Sequence, residues 1–240
     1  MESLVGKIAI VTGGTRGIGR AIVERLLEEK VSVMFCGRTR ESVSRALNEL
    51  ADCGGQVCGQ VADITSPEAV SQLFEAADRA FGGLDILVNN AGAGIFHKVA
   101  EMSIDDWRRN IDLNLNAAFY CSREALARFL PRGGGFIVNI SSLAGANAFS
   151  GGAGYNASKF GLNGFSEAMM FDHRYDNVRV TYVMPGSVDT GFSGGPSNRT
   201  GDTSWMIRPE DVAEMVACVL RMPGRTTISR VEMRPSRPKK

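Results

Sequence analysis

The chain has little with which to build a metal centre, a hydrolase or a membrane anchor. Its 240 residues include only two histidines, His97 and His173, which are far apart. The five cysteines, Cys36, Cys53, Cys58, Cys121 and Cys218, have no metal-ligand spacing, and their odd number makes no closed disulfide framework. Cys36, Cys121 and Cys218 sit in apolar contexts and read as core thiols, which suits a reducing compartment. No Cys–His pairing and no nucleophile elbow suggests hydrolysis. No apolar run approaches the roughly 20 residues that span a bilayer. The opening Met1-Glu-Ser has neither the basic nor the apolar region of a signal peptide. The net charge of +1 gives no reason to expect a nucleic acid or other polyanion as partner. The one charge cluster, residues 230–240, reads as a solvated terminus. These absences lead us to expect a cytoplasmic protein with no metal, no membrane contact and no nucleic-acid partner.

What is present is an alternation of strand and helix patterns. Strands are expected near 7–12, 31–36, 56–61, 84–89, 135–141, 178–184 and 228–233. Helices are expected near 17–29, 41–52, 67–81, 104–130, 155–175 and 209–221. Strands that alternate with helices argue for a parallel sheet covered on both faces. Ser66 followed by Pro67 and Glu68 has the grammar of a helix start, with a cap, a proline at the first helical position and an early acid. Pro209 with Glu210 and Asp211 repeats it. The expectation is an α/β, doubly wound single domain over residues 1–240, with a seven-stranded parallel sheet. Its core spans 5–190. A Gly/Ser-rich stretch within 191–208 follows a strand end and reads as a substrate loop, and 209–240 supplies a last helix, strand and tail.

Two patterns carry chemistry. The apolar run Ile8-Ala-Ile-Val11 leads straight into Thr12-Gly13-Gly14-Thr15-Arg16-Gly17-Ile18-Gly19 and then into an amphipathic stretch. Strand, glycine-rich turn and helix form the first unit of a dinucleotide-binding Rossmann-type fold. The glycines let backbone approach a pyrophosphate, and the helix N-terminus offers it N–H groups and a positive dipole end. The second pattern is Tyr155-Asn-Ala-Ser-Lys159, preceded by Ser142. A Tyr and a Lys four apart share a helix face. An ammonium there is expected to lower the phenol pKa, and a serine hydroxyl can orient a carbonyl or alcohol beside it.

The Thr-Gly-x-x-x-Gly-x-Gly turn, Asn89-Asn-Ala-Gly92, and Ser142 with Tyr155-x-x-x-Lys159 together resemble the short-chain dehydrogenases/reductases over about residues 5–190. The resemblance implies hydride transfer between NADP(H) and a small carbonyl or alcohol substrate. It makes Tyr155 the acid/base and gives Ser142 the substrate oxygen. Lys159 becomes the partner of the phenol and of the nicotinamide ribose, and Asn114 part of a proton relay. It assigns cofactor contact to Gly13, Thr15, Arg16, Gly17, Ile18 and Gly19 in the turn, with Asp63 and Ile64 at the adenine. Asn90, Ala91 and Gly92 would lie at the ribose, with Tyr155 and Lys159 nearby, and Pro185, Gly186, Val188 and Thr190 at the nicotinamide. After the second strand the chain reads Cys36-Gly37-Arg38, without the acid that would select NAD. Arg38 and Arg16, placed toward one pocket, therefore imply NADP. The family also implies a homodimer or homotetramer packed through the two long helices. The alternative is a non-enzymatic NADP-binding sensor on the same fold. An epimerase or dehydratase would need a larger substrate domain.

Overall fold

A computed structural model describes residues 1–192 and 202–238. Seven strands form one sheet: β1 (Ile8–Val11), β2 (Ser32–Gly37), β3 (Val57–Val61), β4 (Ile86–Asn89), β5 (Gly135–Ile140), β6 (Val178–Pro185) and β7 (Arg230–Met233). All neighbours are parallel, in the order β3-β2-β1-β4-β5-β6-β7. The expected fold class is found. Every residue of β1 is buried, because both faces of a parallel sheet are covered.

Side-chain alternation sends the strand residues into two cores. Ala9, Val11, Val33, Phe35 and Val88 join one core with Ile22, Val23 and Leu26 of α1 (Gly17–Glu28), Val43 of α2 (Arg40–Leu50) and Val212 and Val216 of α7 (Pro209–Leu220). Ile8, Ile10, Met34 and Leu87 enter the other. There they meet Leu73 and Phe74 of α3 (Pro67–Phe81), Cys121 and Phe129 of α5 (Ala117–Phe129) and Met169 of α6 (Ala153–His173). The α1 and α7 helices are further tied by Arg25 to Glu214 and Arg221 to Glu29.

The helix starts follow their residues. Ser66 Oγ accepts the Ala69 N–H at 3.2 Å, with Pro67 at the first turn of α3. Asp211 accepts the Arg208 N–H at 2.8 Å at the start of α7. One expectation is revised. The single helix over 104–130 is instead α4 (Ile104–Ile111), a π turn over Asp112–Asn116, and α5. At the centre of the widened turn the Asn114 side chain bonds a neighbouring loop, and π turns are frequent at functional sites. Part of the expected substrate loop, residues 193–201, lies outside the described residues.

The strand order reverses between β1 and β4. The carboxyl ends of these strands therefore open a crevice, the place where open α/β sheets take their ligands.

Candidate active site

At the crevice the glycine turn is pinned to β4 by two side chains. Thr12, buried at the end of β1, accepts the N–H groups of Asn90 (3.0 Å) and Ala91 (3.1 Å) on Oγ1. Asn90 Nδ2 donates to the carbonyls of Thr12 (2.9 Å) and Gly13 (3.2 Å). Gly13 has φ +67°, and a Cβ there would stand 3.0 Å from Ala91 Cα. A Cβ at Gly19 would collide with the Asn90 amide. The α1 N-terminus has neither a side-chain cap nor an acid in its first turn. By contrast, Thr39, Ser66 and Ser103 cap α2, α3 and α4. An uncapped helix start approached by glycine backbone suits an anionic ligand.

The segment after β6 leans over this turn. Gly186 N–H bonds the Met233 carbonyl at 2.8 Å, and Val188 pairs with Ile207 in an isolated bridge. Thr190 Cγ2 would be 3.3 Å from a Cβ on Gly17. Pro185 ends β6 and Thr15 packs beside Gly37, while Ile18 and Ile64 lie in the two cores.

Arg16 and Arg38 are both exposed, and neither enters a salt bridge with another described residue. Arg16 reaches toward Gly191, 3.7 Å from where its Cβ would be. Arg38 lies close enough to Asp63 to help hold that carboxyl below its usual range. The larger cause is Thr65, whose backbone N–H (3.0 Å) and hydroxyl (2.7 Å) both bond Asp63 Oδ1. Asp63 thus closes its own turn ahead of α3.

The second constellation stands at the end of β5 and the start of α6. Ser142 caps a short turn, Leu143–Gly145, by accepting the Ala144 N–H at 3.1 Å. Tyr155 is 7% exposed, with the Ser142 side chain close enough to act on its hydroxyl. Lys159 is 3% exposed, and its Nζ donates to the Ile140 carbonyl at 2.9 Å. Nζ lies 5.9 Å from the centre of the Tyr155 ring. Asn114 Oδ1 accepts the Ala93 N–H at 3.0 Å, and its Nδ2 donates to the Ala93 carbonyl (2.8 Å) and to Ser158 Oγ (3.1 Å). Ser158 in turn donates to the Tyr155 carbonyl at 2.8 Å. A Cβ on Gly92 would stand 2.7 Å from Asn114 Oδ1 and 3.7 Å from Lys159 Nζ. All four residues expected to react therefore converge, with Gly92 at their edge.

The protonation pattern differs from expectation. The phenol of Tyr155 is pushed above its ordinary value, because burial outweighs the effect of the Ser142 side chain. Burial also pushes Lys159 down, to about 8. The expected lowering of the tyrosine by the lysine is not found. Both groups are desolvated, and the amine is aimed at the Ile140 carbonyl.

Several supporting residues escaped the sequence reading. Asn156 Nδ2 donates to the Ala144 carbonyl (2.6 Å), and Asn163 Nδ2 to that of Gly145 (3.0 Å). Together they clamp the Ser142 turn onto α6. Their seven-residue spacing places them on one helical stripe, a signal present in the sequence. Asn89, the first residue of the Asn-Asn-Ala-Gly motif singled out in the sequence, bonds Ser122 and Asn139, a buried link between β4, β5 and α5. Phe96 and Phe192, on separate loops, pack against the Tyr155 ring, and Phe149, on a third, packs against Phe96.

A dinucleotide crevice beside a Ser–Tyr–Lys cluster defines an oxidoreductase of the reductase/dehydrogenase type. The family model of the short chain dehydrogenases matches residues 7–199, and the chain belongs to that family. An uncharacterized oxidoreductase of Staphylococcus aureus (strain N315) is 32% identical over 237 residues, covering 98% of this chain and 100% of that protein. The structure of a metagenomic short-chain oxidoreductase in complex with NADP is similar at a TM-score of 0.85 and 32% identity, covering 99% of this chain and 100% of the other. A variant of the actinorhodin polyketide ketoreductase with NADPH gives a TM-score of 0.90 at 30% identity, with 98% of each chain covered. No helix among the described residues is long and apolar enough to cross a membrane.

Proposed function

We propose that the protein is an NADP(H)-dependent reductase of ketones or aldehydes, working reversibly as an alcohol dehydrogenase. The observation that carries this reading is the convergence of Ser142, Tyr155 and Lys159 at the carboxyl end of β5, beside the uncapped start of α1. The crevice fits the cofactor. Its glycine turn has no room for side chains at 13 and 19, its helix start lacks a cap, and two arginines without salt bridges to described residues border it. Solved relatives at about a third identity hold NADP or NADPH. The absence of an acid after β2 supports the phosphorylated form.

When bound, the cofactor supplies a hydride to the carbonyl carbon. Ser142 holds the carbonyl oxygen and Tyr155 delivers the phenolic proton to it. Tyr155 is protonated at neutral pH, as a donor must be. Lys159, lowered by burial to about 8, exchanges protons close to neutrality, with its amine 5.9 Å from the centre of the phenol ring. Asn114 acts as a positioning residue. It fixes the Gly92–Ala93 loop and, through Ser158, the backbone of Tyr155. Arg16 and Arg38 would neutralise the 2′-phosphate. Asp63, Asn90, Val188 and Thr190 would line the remainder of the cofactor. Copies of the chain would pair through α5 and α6, where Phe119, Phe160 and Phe171 are 46–58% exposed.

The test is oxidation of NADPH with a panel of ketones and aldehydes, for the wild type and Tyr155→Phe, beside a cofactor titration of both. The variant should bind NADPH as the wild type does and lose about 10²–10⁴-fold in turnover. Binding without turnover of any carbonyl by the wild type would instead make the protein an NADP-binding sensor. Near-normal turnover in the variant would remove Tyr155 from the chemistry.

A further inference from the structure

We propose that the substrate carries an aryl ring directly beside its carbonyl, held by an aromatic box of Phe96, Phe149 and Phe192. This rests on the reductase reading and names its substrate class. The three rings form a chain through the phenol. Phe149 and Phe96 have centroids 5.7 Å apart, Phe96 and Tyr155 5.5 Å, and Tyr155 and Phe192 5.9 Å. Tyr155 is buried, yet Phe96, Phe149 and Phe192 keep 39%, 47% and 38% of their surface exposed. Single exposed apolar residues are ordinary, but two that touch the same buried tyrosine, with a third packed on one of them, make a patch, and such patches mark binding sites.

The box is built into the backbone. A side chain at Gly94 would collide with the Phe96 ring. A Cβ at Gly152 would stand 2.7 Å and 2.8 Å from the Phe149 ring. Both glycines therefore leave the space these rings occupy. His97 and Gly152 pair in a parallel β-bridge, so the Phe96 loop and the Phe149 loop are fastened to each other. Adjacent rings are tilted by 59–81°, with Phe96 edge-to-face on Tyr155. A flat π-system can join such a chain of rings and gain beyond the area it buries. A saturated chain of equal size gains area alone.

Three eight-carbon ketones separate these cases: acetophenone, cyclohexyl methyl ketone and 2-octanone. The last two are the more hydrophobic, so a merely greasy pocket prefers them. An aromatic contact gives about two- to twelvefold in affinity. The wild type should favour acetophenone over cyclohexyl methyl ketone by at least about fivefold, both in kcat/KM and in calorimetric Kd with the NADP⁺ complex. Phe96→Leu and Phe149→Leu keep the box apolar and should each bring that ratio toward parity. Equal or better use of the aliphatic ketones by the wild type would overturn the proposal, as would a ratio that survives both substitutions. The calorimetric ratio decides even if no ketone is turned over, an outcome that would sink the reductase reading alone.

Discussion

Replacing Lys159 with Met should make the protein more stable while stopping its chemistry. Methionine is unbranched like lysine, one atom shorter, and carries no charge. In the fold the ammonium is 3% exposed with one hydrogen bond, to the Ile140 carbonyl. Burial lowers its pKa from 10.5 to about 8. At about 1.4 kcal/mol per pH unit, the fold bears roughly 3 kcal/mol at pH 7 to keep the charge there. The variant recovers that amount but orphans the Ile140 carbonyl, at a cost of about 1–2 kcal/mol. A net gain of about 1–2 kcal/mol at pH 7 should remain. The direction with pH follows from the sign of the shift. The folded state releases the proton near pH 8 and the unfolded state only near 10.5. The destabilisation is therefore complete below pH 8 and relieved as pH rises toward 10.5. Urea unfolding of both proteins without cofactor, at pH 7 and pH 9.5, reads this directly. Wild type should gain roughly 2 kcal/mol on the variant between those two pH values. A stability gap that does not change with pH would refute the desolvated ammonium. A variant that retained turnover would remove Lys159 from the reaction.

Two further substitutions test the cofactor crevice and the π turn. Arg38→Asp replaces a guanidinium fork with a repelling acid. NADPH affinity should fall at least about tenfold, because charge-assisted bonds contribute about 1.5–3 kcal/mol, with NADH affinity little changed. Calorimetry with both cofactors checks it, and an unchanged NADPH preference removes Arg38 from the site. Asn114→Ala leaves both the N–H and the carbonyl of Ala93 without their partner. It should cost about 2–4 kcal/mol in denaturant unfolding; a loss below 1 kcal/mol would mean the loop finds other partners.

The sheet was legible because its central strands are short apolar runs set between turn residues, and parallel strands buried on both faces leave that mark; the half-exposed edge strands Val57–Val61 and Arg230–Met233 were placed by the alternation of strands with helices. The start of α3 was legible for a local reason, since Ser66 and Pro67 need no tertiary context to act. The π turn was not. Leu113 and Leu115 continue the helical pattern across it, and only the position of Ala93, 21 residues earlier in the chain, shows why Asn114 turns aside. The three phenylalanines of the box lie on loops, where no period reveals a shared partner. The directions of Arg16 and Arg38 were also beyond reach, because long side chains at known backbone positions can still diverge. The raised tyrosine and lowered lysine depend on how deeply each is buried. Spacing gives the neighbour of a charge but not the water lost around it.

The π turn hides one residue from the helices on either side of it. An α turn closes each N–H on the carbonyl four residues back and a π turn on the one five back, so the wide turn takes in an extra residue without changing which way its flanks face. The α4 helix keeps its register toward α6 while α5 keeps its own toward α3, and residues 112–116 absorb the difference. Removing one residue beside Asn114 would leave an unbroken α-helix whose two ends still face α6 and α3, but with the Asn114 amide no longer aimed at the Ala93 backbone. The extra residue thus serves the aim of one side chain rather than the facing of two helices: a single deletion there should cost about as much as Asn114→Ala in the same denaturant unfolding.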